Sequence, residues 1–571
     1  MRQEAYTYWK EKLINQPLVT EELNRLTEEE ITHLFGNFLD FGTGGMRGTM
    51  GIGTNRLNVY TIKRVALGLG RYLIANHVNP NIVIAYDTRQ QSLEFANETA
   101  RVMATLGIET FIFKEATPTP ELSFAVRELS ATAGVVITAS HNSAEYNGFK
   151  VYNQKGGQAT PTLMNKVKKF VESVDDYLEY TLKDYDELKR NGKIRYLAKE
   201  IDALYLSSIQ NVSFRKGILQ GSNAPSILYS PLHGTGDKLV PTALQQAGIK
   251  RLQVLEKQQT RDGSFSTAPS PNPEQINAFS YLLEAAKQLK SDLLLATDPD
   301  ADRLGVMCLH KGRYQLLSGN EVGILMLSYI LDYRKEGGIL KSADTVLSTI
   351  VSTSLVDKIA KKNEIKSIKL LTGFKYIGEY IATQHLTTNF LLGFEESCGY
   401  LICPFVQDKD SIQAAILVAE MTGYFKQFGK TLIDELEEIY HEYGYYQTAL
   451  ETIQLKEDSK KSDSLMEHFR HLPEKTLKEL DVLWIEDFYT GKRHNCFIKK
   501  ESERIQLPKE NVLKFITIEG DWVCIRPSGT EAKLKIYYEC RGHTKEESEK
   551  KIDHFKTWVK QIFDEQKSTK K

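Results

Sequence analysis

Four short apolar runs in this chain each end in a polar turn carrying aspartate, glycine or serine, and that recurrence constrains the fold more than any other feature. They are Ile82 to Arg89 (IVIAYDTR), Ile227 to Gly236 (ILYSPLHGTG), Leu293 to Arg303 (LLLATDPDADR) and Phe390 to Ser397 (FLLGFEES). Apolar runs this short, bounded by turn residues, read as buried strands. A helix-like stretch is expected after each turn, so the plan is a repeated βαβ unit. Identity among the four is too weak for a sequence repeat. Ligands of open α/β sheets bind outside the carboxyl ends of strands, so chemistry is expected in the turns.

The 571 residues exceed one ordinary core, and at about 150 residues per domain they suggest three or four domains. Hydrophobic content of 41% and charged content of 26% are those of a globular protein. A formal net charge of -1 supplies no overall field for nucleic acid or an anionic membrane. The first twenty residues are charged throughout and lack the apolar stretch of a secretory signal. No run approaches the length of a membrane span. The six cysteines form no CxxC pair, which excludes the usual zinc and redox motifs and suits a reducing, cytoplasmic setting. The stretch from about Asp175 to Lys199 reads as a solvated helical connection. Beyond Tyr440 to Thr448 the pattern changes, and alternation through Lys533, Leu534, Lys535, Ile536 and Tyr537 predicts antiparallel strands in an α+β domain. A closing amphipathic helix is expected from Ile552, Phe555, Trp558, Val559, Ile562 and Phe563, followed by a disordered KSTKK tail.

The run Gly134 to Ile137 breaks at Thr138, Ala139, Ser140, His141 and Asn142, which presents Ser140 as a phosphate carrier or nucleophile. Asp298, Asp300 and Asp302 alternate, and in an extended segment they project to one side, where three hard oxygens suit Mg²⁺. An EF-hand is excluded, because Arg303 and Leu309 stand where the loop glycine and bidentate glutamate belong. Arg526, Pro527, Ser528, Gly529 and Thr530 follow a strand-like run and can form a phosphate nest, although alone they read more readily as an ordinary hairpin turn. Arg47 lies in a second glycine-rich loop, Gly42 to Gly48, that lacks a Walker ending. Glu395 and Ser397, two apart, can reach one ligand with groups that suit sugar hydroxyls. Lys150 can serve as a general base if neighbouring cations lower its proton affinity. Asp87, Thr88 and Arg89, like Ser230, His233 and Thr235, read as helix caps without a catalytic role.

TASHN, DPDADR, GFEES and RPSGT, in this order, resemble the four active-site loops of the α-D-phosphohexomutase superfamily, and FGTGGMRG resembles its early arginine loop. The resemblance runs from about Phe41 to the C-terminus and is nearest to the long branch of bacterial phosphoglucomutases and mammalian phosphopentomutase-type members. It implies three similar α/β domains with mixed sheets plus a C-terminal α+β domain around a central cleft, with limits at 1–200, 201–322, 323–445 and 446–571. It also implies a phosphorylated Ser140 that exchanges its phosphoryl group with a sugar monophosphate through a bisphosphate, glucose 1,6-bisphosphate for a hexose. Mg²⁺ would sit on Asp298, Asp300, Asp302 and the serine. Arg47 and Arg303 would offset phosphate charge, and His141 and Lys150 would serve as acid/base groups. Glu395, Ser397, Lys409, Thr372 and Gly373 would face the sugar, while Arg526, Ser528, Gly529, Thr530 and one of Lys533 or Lys535 would hold the distal phosphate. Small-molecule sugar phosphates are thus the expected partners. Glucose, pentose and mannose phosphates stay open, as does the oligomeric state. A different-class alternative is an aspartyl-phosphate phosphatase, since an apolar strand before DxD also begins such sites.

Overall fold

The computed structural model describes residues 2–42, 44–197, 199–455, 459–498, 502–527 and 533–569. It divides into two compact units, residues 1–347 with 373–433, and residues 348–372 with 434–571.

The first unit contains a mixed sheet in the order Phe41–Gly42, Gly45–Thr49, Tyr146–Asn153, Ala133–Ile137, Asn81–Tyr86, Glu109–Phe113 and Ile194–Leu197. The last four strands run parallel, and Tyr146–Asn153 returns antiparallel beside Ala133–Ile137. Both faces of the parallel strands are covered, which is why Ile82, Val83, Ile84, Val135, Val136 and Ile137 read as continuous apolar runs rather than alternating ones. The helices Val59–Asn76, Ser92–Thr105 and Pro161–Glu172 join that core. Ile194–Leu197 corrects the expected helical connection: among the described residues of that stretch before Lys199 only Tyr185–Arg190 is helical, and the strand after it extends the sheet.

A second sheet of the same unit orders Arg313–Leu317, Leu304–His310, Leu293–Thr297, Ile227–Ser230 and Leu252–Val254. Further on, Thr345 to Leu347 pair in parallel with Phe390 to Gly393, and Gly399–Leu401 folds back antiparallel. The four apolar runs are strands, but a helix follows only two of them, Ser92–Thr105 and Gly236–Ala247. After Leu293–Thr297 and Phe390–Glu395 the chain makes a tight turn into an antiparallel strand. Those turns place polar groups at the carboxyl ends of strands without an intervening helix.

The second unit carries an antiparallel sheet in the order Tyr445–Gln454, Lys533–Gly542, Trp522–Pro527, Leu513–Thr517, Val482–Asp487, Lys492–Asn495 and Ser502–Arg504. Ile525, Leu534, Ile536 and Tyr538 share a core with Ile552, Phe555, Trp558, Val559 and Ile562 of the closing helix. That alternation is the half-buried pattern expected of the segment. The helix runs Lys545–Thr569, so 567–569 are helical where a disordered tail was expected. Segment 348–372 belongs to this unit, with its helix Leu355–Lys362 and with Ile350 donating to the Leu370 carbonyl.

Candidate active site

Ser140 follows the Ala133–Ile137 strand in a left-handed backbone conformation, φ 53°, which is strained for a residue with a side chain. The turn is held from inside. The Ser140 amide donates to Thr138 Oγ1 at 2.8 Å, and Thr138 Oγ1 donates to Asp87 Oδ2 at 2.6 Å. The side chain thereby points at the second sheet's turn, where Ser140 Oγ donates to Asp298 Oδ2 at 2.7 Å and lies 3.2 Å from His141 Nδ1.

Asp298, Asp300 and Asp302 converge, with one oxygen of each within 4.8 Å of the others, and all three are buried. The convergence comes from a tight turn, not from the extended segment expected of the alternation. Ala301 has φ 51° and its amide donates to the Asp298 carbonyl at 2.9 Å. Asp298 Oδ1 accepts the amides of Asp302 and Arg303 at 3.1 and 3.0 Å. Asp300 Oδ2 accepts Lys150 Nζ at 2.8 Å and Thr119 Oγ1 at 2.9 Å. Lys409 Nζ lies 3.0 Å from Asp302 Oδ2 and 3.1 Å from Asp408 Oδ1.

Packing three carboxylates together splits their proton affinities. Burial and then Asp302 and Asp300 push Asp298 well above the usual carboxylate range. Burial and Asp300 raise Asp302 as well, against Lys409 and Lys150. Asp300 is held low, since Lys150 and Thr119 outweigh its burial. Lys409 is buried too, yet Asp302, Asp408 and Glu395 hold its ammonium above the ordinary lysine value. Two oxygens, Asp300 Oδ1 and Asp302 Oδ1, are buried with no hydrogen-bond partner among the described residues. Buried carboxylate oxygens without donors fit a hard divalent cation, which takes oxygen ligands and whose charge would relieve the repulsion.

Arg47, on Gly45–Thr49, donates to Asn142 Oδ1 at 3.1 Å beside the serine turn. Its strand lies against Tyr146–Asn153 so closely that an ideal Cβ on Gly45 would stand 2.0 Å from the Phe149 carbonyl oxygen. Lys150 lies opposite Gly45 in that pairing. Its nearest carboxylates are those of Asp300, at 2.8 Å, and Asp302, at 3.7 Å, with which it forms ion pairs. Arg303 pairs with Glu274 and donates to the Ser397 carbonyl at 3.2 Å, tying the aspartate turn to the turn after Glu395. Glu395 is buried at its strand end and accepts the Gly373 amide at 2.8 Å.

The second unit holds the remaining predicted groups. Arg526 and Lys535 are direct cross-strand partners, on the face opposite the Ile525, Leu534 and Ile536 core. Lys533 and Tyr537 share that face by alternation. Thr372 ends segment 348–372, and its hydroxyl is buried without a hydrogen-bond partner among the described residues. Ser528, Gly529 and Thr530 lie outside the described residues.

Sequence reasoning missed Arg89, Asp87, Thr138 and Thr119. The first two were read as a helix cap, whereas Arg89 is buried and points back at the Ser140 turn. The available signal was an Asp and an Arg two apart, directly after a wholly apolar strand, where each charge requires a specific partner.

Polar turns at strand ends, a buried carboxylate trio and a serine hydroxyl bonded to it define a multidomain α/β enzyme. Domain families described as Phosphoglucomutase/phosphomannomutase, alpha/beta/alpha domains I, II and III match residues 39–178, 203–311 and 318–443, and the C-terminal domain of that series matches 490–552. The phosphoglucomutase of Staphylococcus aureus strain MRSA252 is 38% identical over 530 residues, covering 92% of this chain and 94% of its own. That of Staphylococcus saprophyticus is 36% identical over 530 residues with the same coverage. A phosphoglucomutase/phosphomannomutase family protein from Burkholderia thailandensis shares the fold with a TM-score of 0.66, at 15% identity over 91% of this chain and 97% of that one. The chain belongs to the phosphoglucomutase/phosphomannomutase family, in the α-D-phosphohexomutase superfamily. No helix among the described residues is long and apolar enough to cross a membrane.

Proposed function

We propose that the protein is a phosphoglucomutase that interconverts glucose 1-phosphate and glucose 6-phosphate, with Ser140 as its phosphate carrier and glucose 1,6-bisphosphate as intermediate and activator. The observation that carries this reading is the 2.7 Å hydrogen bond from Ser140 Oγ to Asp298, within a buried trio in which Asp300 Oδ1 and Asp302 Oδ1 lack donors among the described residues. The phosphoglucomutase relatives, matched over nearly their whole length, support the substrate choice.

The phosphorylated serine gives its phosphoryl group to a free sugar hydroxyl: the bond from Oγ to phosphorus breaks as the sugar oxygen bonds to phosphorus, and the hydroxyl proton leaves to a base. His141, whose Nδ1 lies 3.2 Å from Oγ, and Lys150 are the acid/base candidates. Lys150 and Arg47 offset the charge of the group in transit. The bisphosphate turns around and returns its other phosphoryl group to Oγ. Asp298, Asp300, Asp302 and the Ser140 oxygen would hold Mg²⁺, which supplies Lewis-acid stabilisation of charge on the phosphoryl oxygens. Arg303, Glu395, Ser397, Lys409, Gly373 and Thr372 are assigned to the sugar. Arg526, Lys535, Ser528, Gly529 and Thr530 are assigned to its distal phosphate. Arg526 and Lys535, paired across neighbouring strands, bring two cationic residue types to one sheet position, which suits a dianion. Four domains, at 1–200, 201–322, 323–445 and 446–571, and a cytoplasmic location complete the reading.

Phosphopentomutase or phosphomannomutase activity by the same steps is the nearest alternative. An aspartyl-phosphate phosphatase is less favoured, because the relatives matched over 92% of the chain are phosphoglucomutases. A coupled assay of kcat/KM on glucose, mannose and ribose 1-phosphates, with and without added glucose 1,6-bisphosphate, tests the proposal. Preference for the glucose ester with activation by the bisphosphate supports it, and preference for the pentose ester overturns the substrate.

A further inference from the structure

We propose that Arg89, with Asp87 and Thr138, forms a buried clamp that fixes the strained Ser140 turn and so aims the carrier hydroxyl. The four Nη hydrogens of the guanidinium are spent on this task, while Nε makes an ion pair with Asp87 without hydrogen-bond alignment. Nη2 donates to the carbonyls of Ser140, at 2.5 Å, and of Asn142. Nη1 donates to the carbonyls of Ser143 and Tyr146, at 2.7 and 3.0 Å. Nε faces Asp87 Oδ2 at 3.2 Å, and the Phe265 ring lies 4.9 Å from the guanidinium carbon.

Asp87 completes the circuit. Its Oδ1 accepts the Arg89 amide at 2.9 Å and Ser92 Oγ at 2.7 Å, while its Oδ2 accepts the Thr138 hydroxyl that itself accepts the Ser140 amide. Asp87, Arg89, Ser92, Thr138 and Ser140 are all buried, so each bond is made away from competing water. A left-handed serine at this turn persists only if its surroundings over-determine it, and four carbonyls gathered on one cation do so. None of the three residues contacts Ser140 Oγ in the structure; they are positioning residues. A phosphoryl donor must meet its acceptor in line, and a misplacement of about 1 Å costs about 10²-fold in rate. Lysine, with three donors and no planar fork, cannot span the same four carbonyls.

The catalytic half of this inference rests on the mutase reading; the clamp itself does not. The test compares Arg89→Lys, Thr138→Val and Thr138→Ser with the wild type. Amide hydrogen exchange is read over residues 140–146, and kcat and KM are measured with glucose 1-phosphate and added glucose 1,6-bisphosphate. Arg89→Lys and Thr138→Val should speed exchange in that stretch by about tenfold or more. Both should also lower kcat by about 10²-fold with KM within about twofold. Thr138→Ser, which restores the hydroxyl, should return both readouts to near wild type. Wild-type exchange rates over 140–146 in Thr138→Val overturn the clamp. Faster exchange with unchanged kcat overturns its catalytic role. A wild type without turnover on any sugar phosphate counts against the mutase reading alone, because exchange still decides the clamp.

Discussion

Replacing Asp410 with asparagine should stabilise the protein above neutral pH and have little or opposite effect near pH 4. Asp410 caps the helix Ser411–Lys426, with Oδ1 accepting the amides of Ile412 and Gln413 at 2.9 and 3.1 Å and Oδ2 accepting Tyr205 Oη at 2.8 Å. The next residue, Ser411, donates to the Ala301 carbonyl at 2.5 Å, so this cap supports the aspartate turn. Burial raises Asp410 from 3.8 to about 6, against the capping amides and Tyr205, and buried Glu121 lies near enough to be raised by it. The folded state therefore binds a proton that the unfolded chain releases between about pH 4 and pH 6, and stability falls as pH rises through that window. A rise from 3.8 to about 6 corresponds to about 3 kcal/mol at pH 7. Asparagine keeps the amide-accepting oxygen and removes this penalty, while losing about 1 kcal/mol of charge-assisted capping. Asp410→Asn should thus gain about 1–2 kcal/mol over wild type at pH 7.5 and lose that advantage by pH 4.5. Urea unfolding of both proteins across that range reads the difference directly. A difference that does not change with pH would refute the argument.

Gly45→Ala should disrupt the strand pair that carries Lys150, because its Cβ would stand 2.0 Å from the Phe149 carbonyl oxygen and Gly45 has φ 141°. A loss of at least about 3 kcal/mol in urea unfolding is expected. Lys150→Met should cost about 3–5 kcal/mol, read in the same unfolding experiment, by leaving the Asp300 carboxylate buried with Thr119 as its remaining side-chain donor. Added Mg²⁺ should raise the melting temperature of the wild type, and Asp300→Asn should reduce that increase; scanning calorimetry with and without the ion measures both.

The strands were legible because their apolar runs are short and continuous, which covered parallel strands require. The connections after them were not. Whether LLLAT leads to a helix or a reversing strand depends on Ala301 adopting φ 51° in DPDADR, and alanine carries no signal for that conformation. Ser140, Asp298, Asp300 and Asp302 stood out by residue type and spacing, and the fold brings Ser140 to Asp298 across 158 residues. Arg89 did not stand out, because a buried arginine answering carbonyls looks in sequence like any arginine at a helix start. Lys150 was legible as a charged group near the serine, but its hydrogen-bond partner is Asp300, 150 residues away. Ile194–Leu197 was hidden in a charged stretch because an edge strand has exposed residues, here Arg195 and Tyr196.

Everything proposed for this site depends on Ser140 storing the phosphoryl group. Phosphopeptide mapping after incubation with glucose 1,6-bisphosphate labelled in its phosphates tests it most directly. Stoichiometric label on Ser140, stable to hydroxylamine and absent from Ser140→Ala, is the expected result. Hydroxylamine-labile label on Asp298, or undiminished labelling of Ser140→Ala, would contradict it.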